Sequence, residues 1–194
     1  MNIIEKRRSV RMIDNSITLT DGELIKKITS ILKHTPSSYN AQSQRIMVLL
    51  NNNHRDFWDL VLEELRKLVP EDKFSRTENK INNFKSGYGT VLFFDDEATT
   101  NGLTEKFPLY KENFINWARE QSGMLQINIW NQLAKHDIGA SLQHYNEVIE
   151  EQAKVLLSIP KSWKMIAQMP FGNTLEQPNE KMFVDIEKRI IIKN

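Results

Sequence analysis

Five residues near the start, Arg7-Arg8-Ser9-Val10-Arg11, are of the types that hold a phosphate. A guanidinium is a planar fork that meets phosphate oxygens two at a time, and a serine hydroxyl adds a neutral donor. Beside a helix start, backbone amides would add to the attraction. Four cations against Glu5 alone leave +3 across residues 5–11. The plain alternative is a solvated basic end.

A second cluster, Pro36-Ser37-Ser38-Tyr39-Asn40-Ala41-Gln42, is a loop crowded with hydroxyls and amides. Such groups can line a polar heterocycle, or simply build a turn. A third, Gly139-Ala140-Ser141-Leu142-Gln143-His144-Tyr145-Asn146, follows a helical pattern with small and amide residues. It can turn backbone N–H groups toward a ligand. Its plain alternative is a helix connection with His144 at the surface.

Composition removes other chemistries. Cysteine is absent, which excludes disulfides, thiolate nucleophiles and Cys-held zinc or iron–sulfur centres. His34, His54, His136 and His144 share no i,i+3 or i,i+4 spacing, so no local metal pair and no bound metal is expected. A formal charge of +1 gives no whole-chain field for nucleic acid. No run approaches the roughly 18 apolar residues of a membrane helix, and the N-terminal charges are arranged unlike a secretory signal. The expectation is a cytoplasmic protein. Its 194 residues suit a single domain, 1–194, burying about 70% of the unfolded surface.

Elements must position these clusters. Ile3, Ile4, Val10 and Met12 suggest a short opening helix. Thr20 and Glu23 form a capping box for a helix carrying Leu24, Ile25, Ile28, Ile31 and Leu32 as far as Pro36. Residues 46–50 read as a buried strand, followed by a helix capped by Asn53 and carrying Phe57, Trp58, Val61, Leu62, Leu65 and Leu68. Residues 71–86 are ambiguous, with helix one option. Gly87-Tyr88-Gly89 turns into a second strand over 90–94. A loop through Pro108 leads to a weak helix near Phe114 and Trp117, then a strongly apolar helix over 122–137 stopped by Gly139. Asn146 caps a helix to Leu156. A third strand at 164–169 is closed by Pro170-Phe171-Gly172, and Ile190-Ile191-Ile192 forms a fourth. Strands scattered among helices define an α+β class with a small sheet. An apolar strand at the C-terminus invites pairing with a second copy.

The order of RRSVR, PSSYNAQ, GASLQHYN and a late MPFG resembles the nitroreductase family of FMN-dependent oxidoreductases, over nearly the whole chain. GYGTVLFF and GASLQHYN look like the subgroup of fungal nitroreductase-like proteins linked to fatty-acid regulation. The resemblance implies an intertwined homodimer with C-terminal strand exchange and an antiparallel or mixed central sheet flanked by helices. Two FMN sites would lie at the interface. Arg7, Arg8, Ser9 and Arg11 would hold the phosphate, ribityl chain and N1/O2 edge between them. Pro36, Ser37, Ser38, Asn40 and Gln42 would reach the ring from the other subunit. Gln143 and His144 match the turn whose backbone N–H meets flavin N5, with His144 the donor. Lys181 matches the lysine of a family Lys-x-Arg pair, but Phe183 replaces the arginine, and Arg189 is the candidate substitute. Asn79, Asn82 and Asn83 compete for the pyrimidine edge.

The resemblance further implies that NAD(P)H reduces the flavin at N5. A nitroaromatic, quinone or similar small acceptor then uses the same cleft, in ping-pong fashion. Arg11 would stabilise charge at N1/O2. No side chain is required as acid or base. Phe114, Trp117, Trp130 and Tyr145 are either a stacking wall or plain core. The alternative is a flavin-binding regulatory or sensor protein with little turnover.

Overall fold

The computed structural model describes residues 2–193; Met1 and Asn194, included in the expected domain, lie outside the described residues. Helix α1 (Ile3–Lys6) is a single turn closed by reciprocal bonds between Asn2 and Glu5. It ends before the arginines, so Val10 and Met12 are not on a helix. Strand β1 (Ile13–Asp14) precedes α2 (Asp21–His34), whose Thr20–Glu23 capping box is present as expected. Then follow β2 (Gln44–Leu50), α3 (Asn51–Arg66), α4 (Glu71–Lys85) and β3 (Gly89–Asp96). The remainder is α5 (Glu97–Lys106), α6 (Lys111–Lys135), β4 (Ile138–Ala140), α7 (Asn146–Leu156) and β5 (Trp163–Thr174).

The sheet is antiparallel in order β1-β5-β3-β2, with β4 also on β5. Side chains of a strand alternate between faces, and β3 uses both. Leu92 and Phe94 enter a core with Phe57, Trp58 and Val61 of α3, Phe84 of α4 and Ile149 of α7. Val91 and Phe93 enter a second core with Leu24 and Ile28 of α2 and Leu125, Ile129 and Leu133 of α6. Two helical layers thus cover one sheet. Each large side chain so buried contributes on the order of 1.5–3 kcal/mol.

Several expectations are corrected. Residues 97–106 are helix, not loop: Thr100 and Thr104 are its buried side chains, so it shows no apolar stripe. Thr100 Oγ1 donates to Asp95 Oδ2 at 2.7 Å and Thr99 Oγ1 to Asp96 Oδ2 at 3.1 Å, which holds the first turn. The two helices expected over 111–137 are one, because Gln121, Ser122 and Gln126 are buried polar residues that interrupt the pattern. Gly139 does not stop that helix. The chain reverses at Asp137, with φ 59°, and Gly139 lies within β4.

The N-caps before α3 and α7 are Leu50 and Tyr145, neither bonding through its side chain, rather than Asn53 and Asn146. Strand β5 runs straight through Pro170-Phe171-Gly172; Pro170 lacks an N–H, yet its carbonyl accepts the Ser141 N–H. Among the described residues Ile190, Ile191 and Ile192 form no strand, and all three are exposed. Among the described residues, no helix is long and apolar enough to cross a membrane.

Candidate functional site

The basic segment is extended and leans on β4. The Val10 N–H donates to the Ala140 carbonyl at 2.9 Å, and Ser9 forms a parallel bridge with Ala140. Glycine permits this approach: a Cβ on Gly139 would stand 3.0 Å from Val10 Cγ1 and 2.6 Å from Thr174 Oγ1. Arg7 is half-buried with its guanidinium over the Trp130 ring, 4.4 Å from the centroid. Burial first, and Arg8 second, hold Arg7 below the usual arginine pKa. Arg8 donates to the Asn179 carbonyl.

Arg7, Arg8, Ser9 and Arg11 line one cavity of about 430 Å³, and Lys181 lines it too. Glu176 and Glu180 also border it. Arg189 is not among its lining residues; it is exposed in the tail.

The turn after β4 is pinned on both sides. The Gln143 N–H donates to the Gln168 carbonyl at 2.7 Å, and the Gln168 N–H returns to the Gln143 carbonyl at 2.9 Å. The Tyr145 N–H donates to Gln168 Oε1 at 2.8 Å. Between them, the His144 N–H has no acceptor among the described residues, and His144 is exposed. Thus β4 carries the cationic segment along its course and presents an unpartnered amide four residues beyond its end.

The 36–42 loop sits elsewhere. Tyr39, Asn40 and Gln42 are left-handed, with φ of 55°, 52° and 51°. Asparagine tolerates this conformation, while the Tyr39 ring is held against Phe107, Phe114 and Trp117. Ser37 Oγ accepts the Gln42 N–H at 2.9 Å, and the Pro36 carbonyl accepts Gln44 Nε2 at 3.0 Å. The Ser38 N–H donates to Gln121 Oε1 at 3.1 Å. Gln121 Nε2 donates to Ser43 Oγ at 2.7 Å, and Ser43 donates to Asp95 Oδ1 at 2.5 Å. Gln121 and Trp130, the α6 residues that seat the two clusters, are separated by about 13.5 Å of helix rise. One chain therefore does not bring the loop and the arginines together through that helix.

Sequence reasoning missed three residues here. Gln168 is fully buried in the apolar stretch 165–171 of β5, and a lone amide between Ala167 and Met169 was the available signal. Gln121 had no signal on a helix with other polar residues. Lys80 places its ammonium 5.4 Å from the Tyr145 ring centroid, so that face of α4 borders the 143–145 turn. Asn83 shares the Lys80 side at i,i+3 spacing, whereas Asn82 borders a separate depression with Asp14 and Arg55. The aromatic candidates are packed: Trp130 under Arg7, Tyr145 edge-on to Trp58 at 6.1 Å, Phe114 and Trp117 with Tyr39. No group of three His, Asp or Glu side chains suited to a metal occurs among the described residues.

This architecture, two helical layers on an antiparallel sheet, is the nitroreductase fold. The structure of nitroreductase CinD from Lactococcus lactis in complex with chloramphenicol matches at a TM-score of 0.90, with 31% identity over 99% of this chain and 98% of that one. The same protein in complex with 4-nitrophenol matches at 0.89. Among sequences, HBN1 of Saccharomyces cerevisiae is 31% identical over 177 residues, covering 90% of this chain and 86% of the relative. Nitroreductase FRM2 of the same yeast is 28% identical over 187 residues, 95% and 93% of the two chains. The nitroreductase family model matches residues 4–173. The chain belongs to the nitroreductase family, and its class is oxidoreductase.

Proposed function

We propose that the protein binds FMN and, with NAD(P)H as donor, reduces nitroaromatics, quinones or similar small acceptors. The observation that carries this reading is the pairing on β4 of a cationic cavity with an unpartnered amide, at His144. The residues fit the group. Arg7, Arg8, Ser9 and Arg11, with Lys181, offer donors to a phosphate and ribityl chain. The His144 N–H offers one to N5 of the ring. When bound, the flavin supplies the hydride-transfer chemistry. The chain binds, orients and excludes water. Arg11 offsets negative charge at the N1/O2 edge. Lys80, whose ammonium lies against the Tyr145 ring, and Asn83, three residues along α4, are candidates for the pyrimidine edge. CinD binds chloramphenicol and 4-nitrophenol in its solved structures, which supports nitroaromatic acceptors here. One cleft used in turn by donor and acceptor gives ping-pong kinetics. A nicotinamide donor is supplied in the cytoplasm, where we place the protein.

The working unit in this reading is a homodimer. The tail exposes Phe183, Ile191 and Ile192 at 74%, 86% and 76%, while β2 is a sheet edge. An apolar segment and an unpaired edge are complementary. A partner's Pro36, Ser37, Ser38, Asn40 and Gln42 would then complete the site. Arg189 travels with that tail as a further phosphate candidate.

FMN titration followed by stopped-flow reduction with NADH and NADPH tests the proposal. One flavin bound per chain and rapid bleaching by a nicotinamide support it; no flavin binding defeats it. A second reading, a flavin-binding sensor with little turnover, draws on Phe183 and on Glu176 and Glu180 bordering the cationic cavity. Flavin binding without nicotinamide oxidation selects that reading.

A further inference from the structure

We infer that Gln168 is a positioning residue that presents the His144 amide. The inference rests on the flavin reading above. Gln168 lies on β5 with none of its surface exposed, and it bonds the facing turn from four directions. Its backbone N–H and carbonyl pair with Gln143 at 2.9 and 2.7 Å. Its Oε1 accepts the Tyr145 N–H at 2.8 Å, and its Nε2 donates to Asn146 Oδ1. Asn146 is held in turn, its Nδ2 donating to the Ile166 carbonyl at 2.7 Å.

The arrangement is selective. Of three successive amides, 143 and 145 are consumed by one glutamine and 144 is left over. An apolar side chain at 168 would satisfy strand packing equally well. It would leave the Tyr145 N–H without its acceptor, and the turn could then rotate to solvate it. A buried amide whose Oε1 is held by the turn and whose Nε2 is shared between Asn146 Oδ1 at the start of α7 and Met165 Sδ at 3.1 Å fixes the direction of the remaining donor. That donor's pull on a ring atom differs between oxidised and reduced flavin, so its aim acts on the difference between the two affinities.

The test uses the full-length protein and variants Gln168→Leu and Asn146→Ala, the second keeping Gln168 but removing its side-chain acceptor. Dissociation constants are measured for FMN oxidised and FMN reduced with dithionite. Hydrogen exchange is followed at the Tyr145 amide without flavin. We expect exchange at Tyr145 at least tenfold faster in Gln168→Leu. The ratio of the two dissociation constants should change about tenfold, which is about 30 mV for a two-electron couple. Asn146→Ala should move the ratio in the same direction by less, and it carries the test if Gln168→Leu does not fold. A residue that merely holds the fold would weaken both redox states alike. FMN bound with an unaltered ratio in the folded variants overturns this inference alone; wild-type protein that binds no FMN overturns the flavin reading as well.

Discussion

The Arg7 guanidinium lies over the Trp130 ring, its Cζ 4.4 Å from the centroid. The stack ties the basic segment to the last third of α6 and fixes the plane of one arginine fork. Arg7 stays charged at neutral pH although burial lowers its pKa, because the starting value is so high.

Two substitutions separate the charge from the stack. A hydrogen bond to a charged group is worth about 1.5–3 kcal/mol, so Arg7→Ala should weaken FMN binding roughly 10- to 100-fold. Trp130→Leu keeps the charge and removes a cation–π contact of about 0.5–1 kcal/mol. It should weaken binding only about two- to fivefold. Fluorescence titration of FMN reads both, and equal losses would contradict the division of roles.

Stability should fall in mild acid because of His54. Its ring is 1% exposed. The Lys85 carbonyl, 3.2 Å from His54 Nε2, can only accept, so the neutral ring carries its proton there and Nδ1 accepts from Thr90 Oγ1 at 2.9 Å; Thr90 Oγ1 in turn accepts Trp58 Nε1–H at 2.8 Å. Burial pushes its pKa down to about 4 from 6.5. Between those values the unfolded chain takes a proton that the native chain refuses. This contribution is therefore complete above pH 6.5 and is lost as pH falls toward 4, amounting to about 3 kcal/mol. Urea unfolding at pH 7.5, 5.5 and 4.5 should show the decline, and His54→Gln should flatten it.

Gly139→Ala should disturb the site through the backbone. The added Cβ would press on Val10 and Thr174 at 3.0 and 2.6 Å. Overpacking of this kind costs about 1–3 kcal/mol, and relief moves the 7–11 segment away from β4. Thermal unfolding and FMN titration should both register the loss. A variant as stable and as tight-binding as the parent would mean the approach is not required.

Removing residues after Lys188 should weaken self-association, since Ile190, Ile191 and Ile192 are exposed apolar side chains that join no strand among the described residues. Sedimentation velocity should shift toward monomer. A truncated chain that remains a tight dimer would move the interface away from the tail.

The chain's local chemistry was legible where a residue's own type decides its conformation. Thr20 and Glu23 announce α2 because a capping box is closed within four residues, and Val91 to Phe94 announce a strand buried on both faces. Arg7, Arg8 and Arg11 were legible as a candidate anion site because charge and donor geometry travel with the side chain; Lys181 came with the family resemblance, and the fold lines one cavity with all four. Tertiary structure alone decided the rest. Helix α5 buries Thr100, bonded to Asp95 of β3, and Thr104, bonded to the Asn101 carbonyl of its own helix, so it carries no apolar period to announce it. Gly139 reads as a helix stop until β4 and Val10 close around it. The role of Gln168 depends on which amides face it across the sheet, and those belong to residues more than twenty positions away. A hydrogen bond between distant segments leaves no mark on either until the fold brings donor and acceptor within 3 Å.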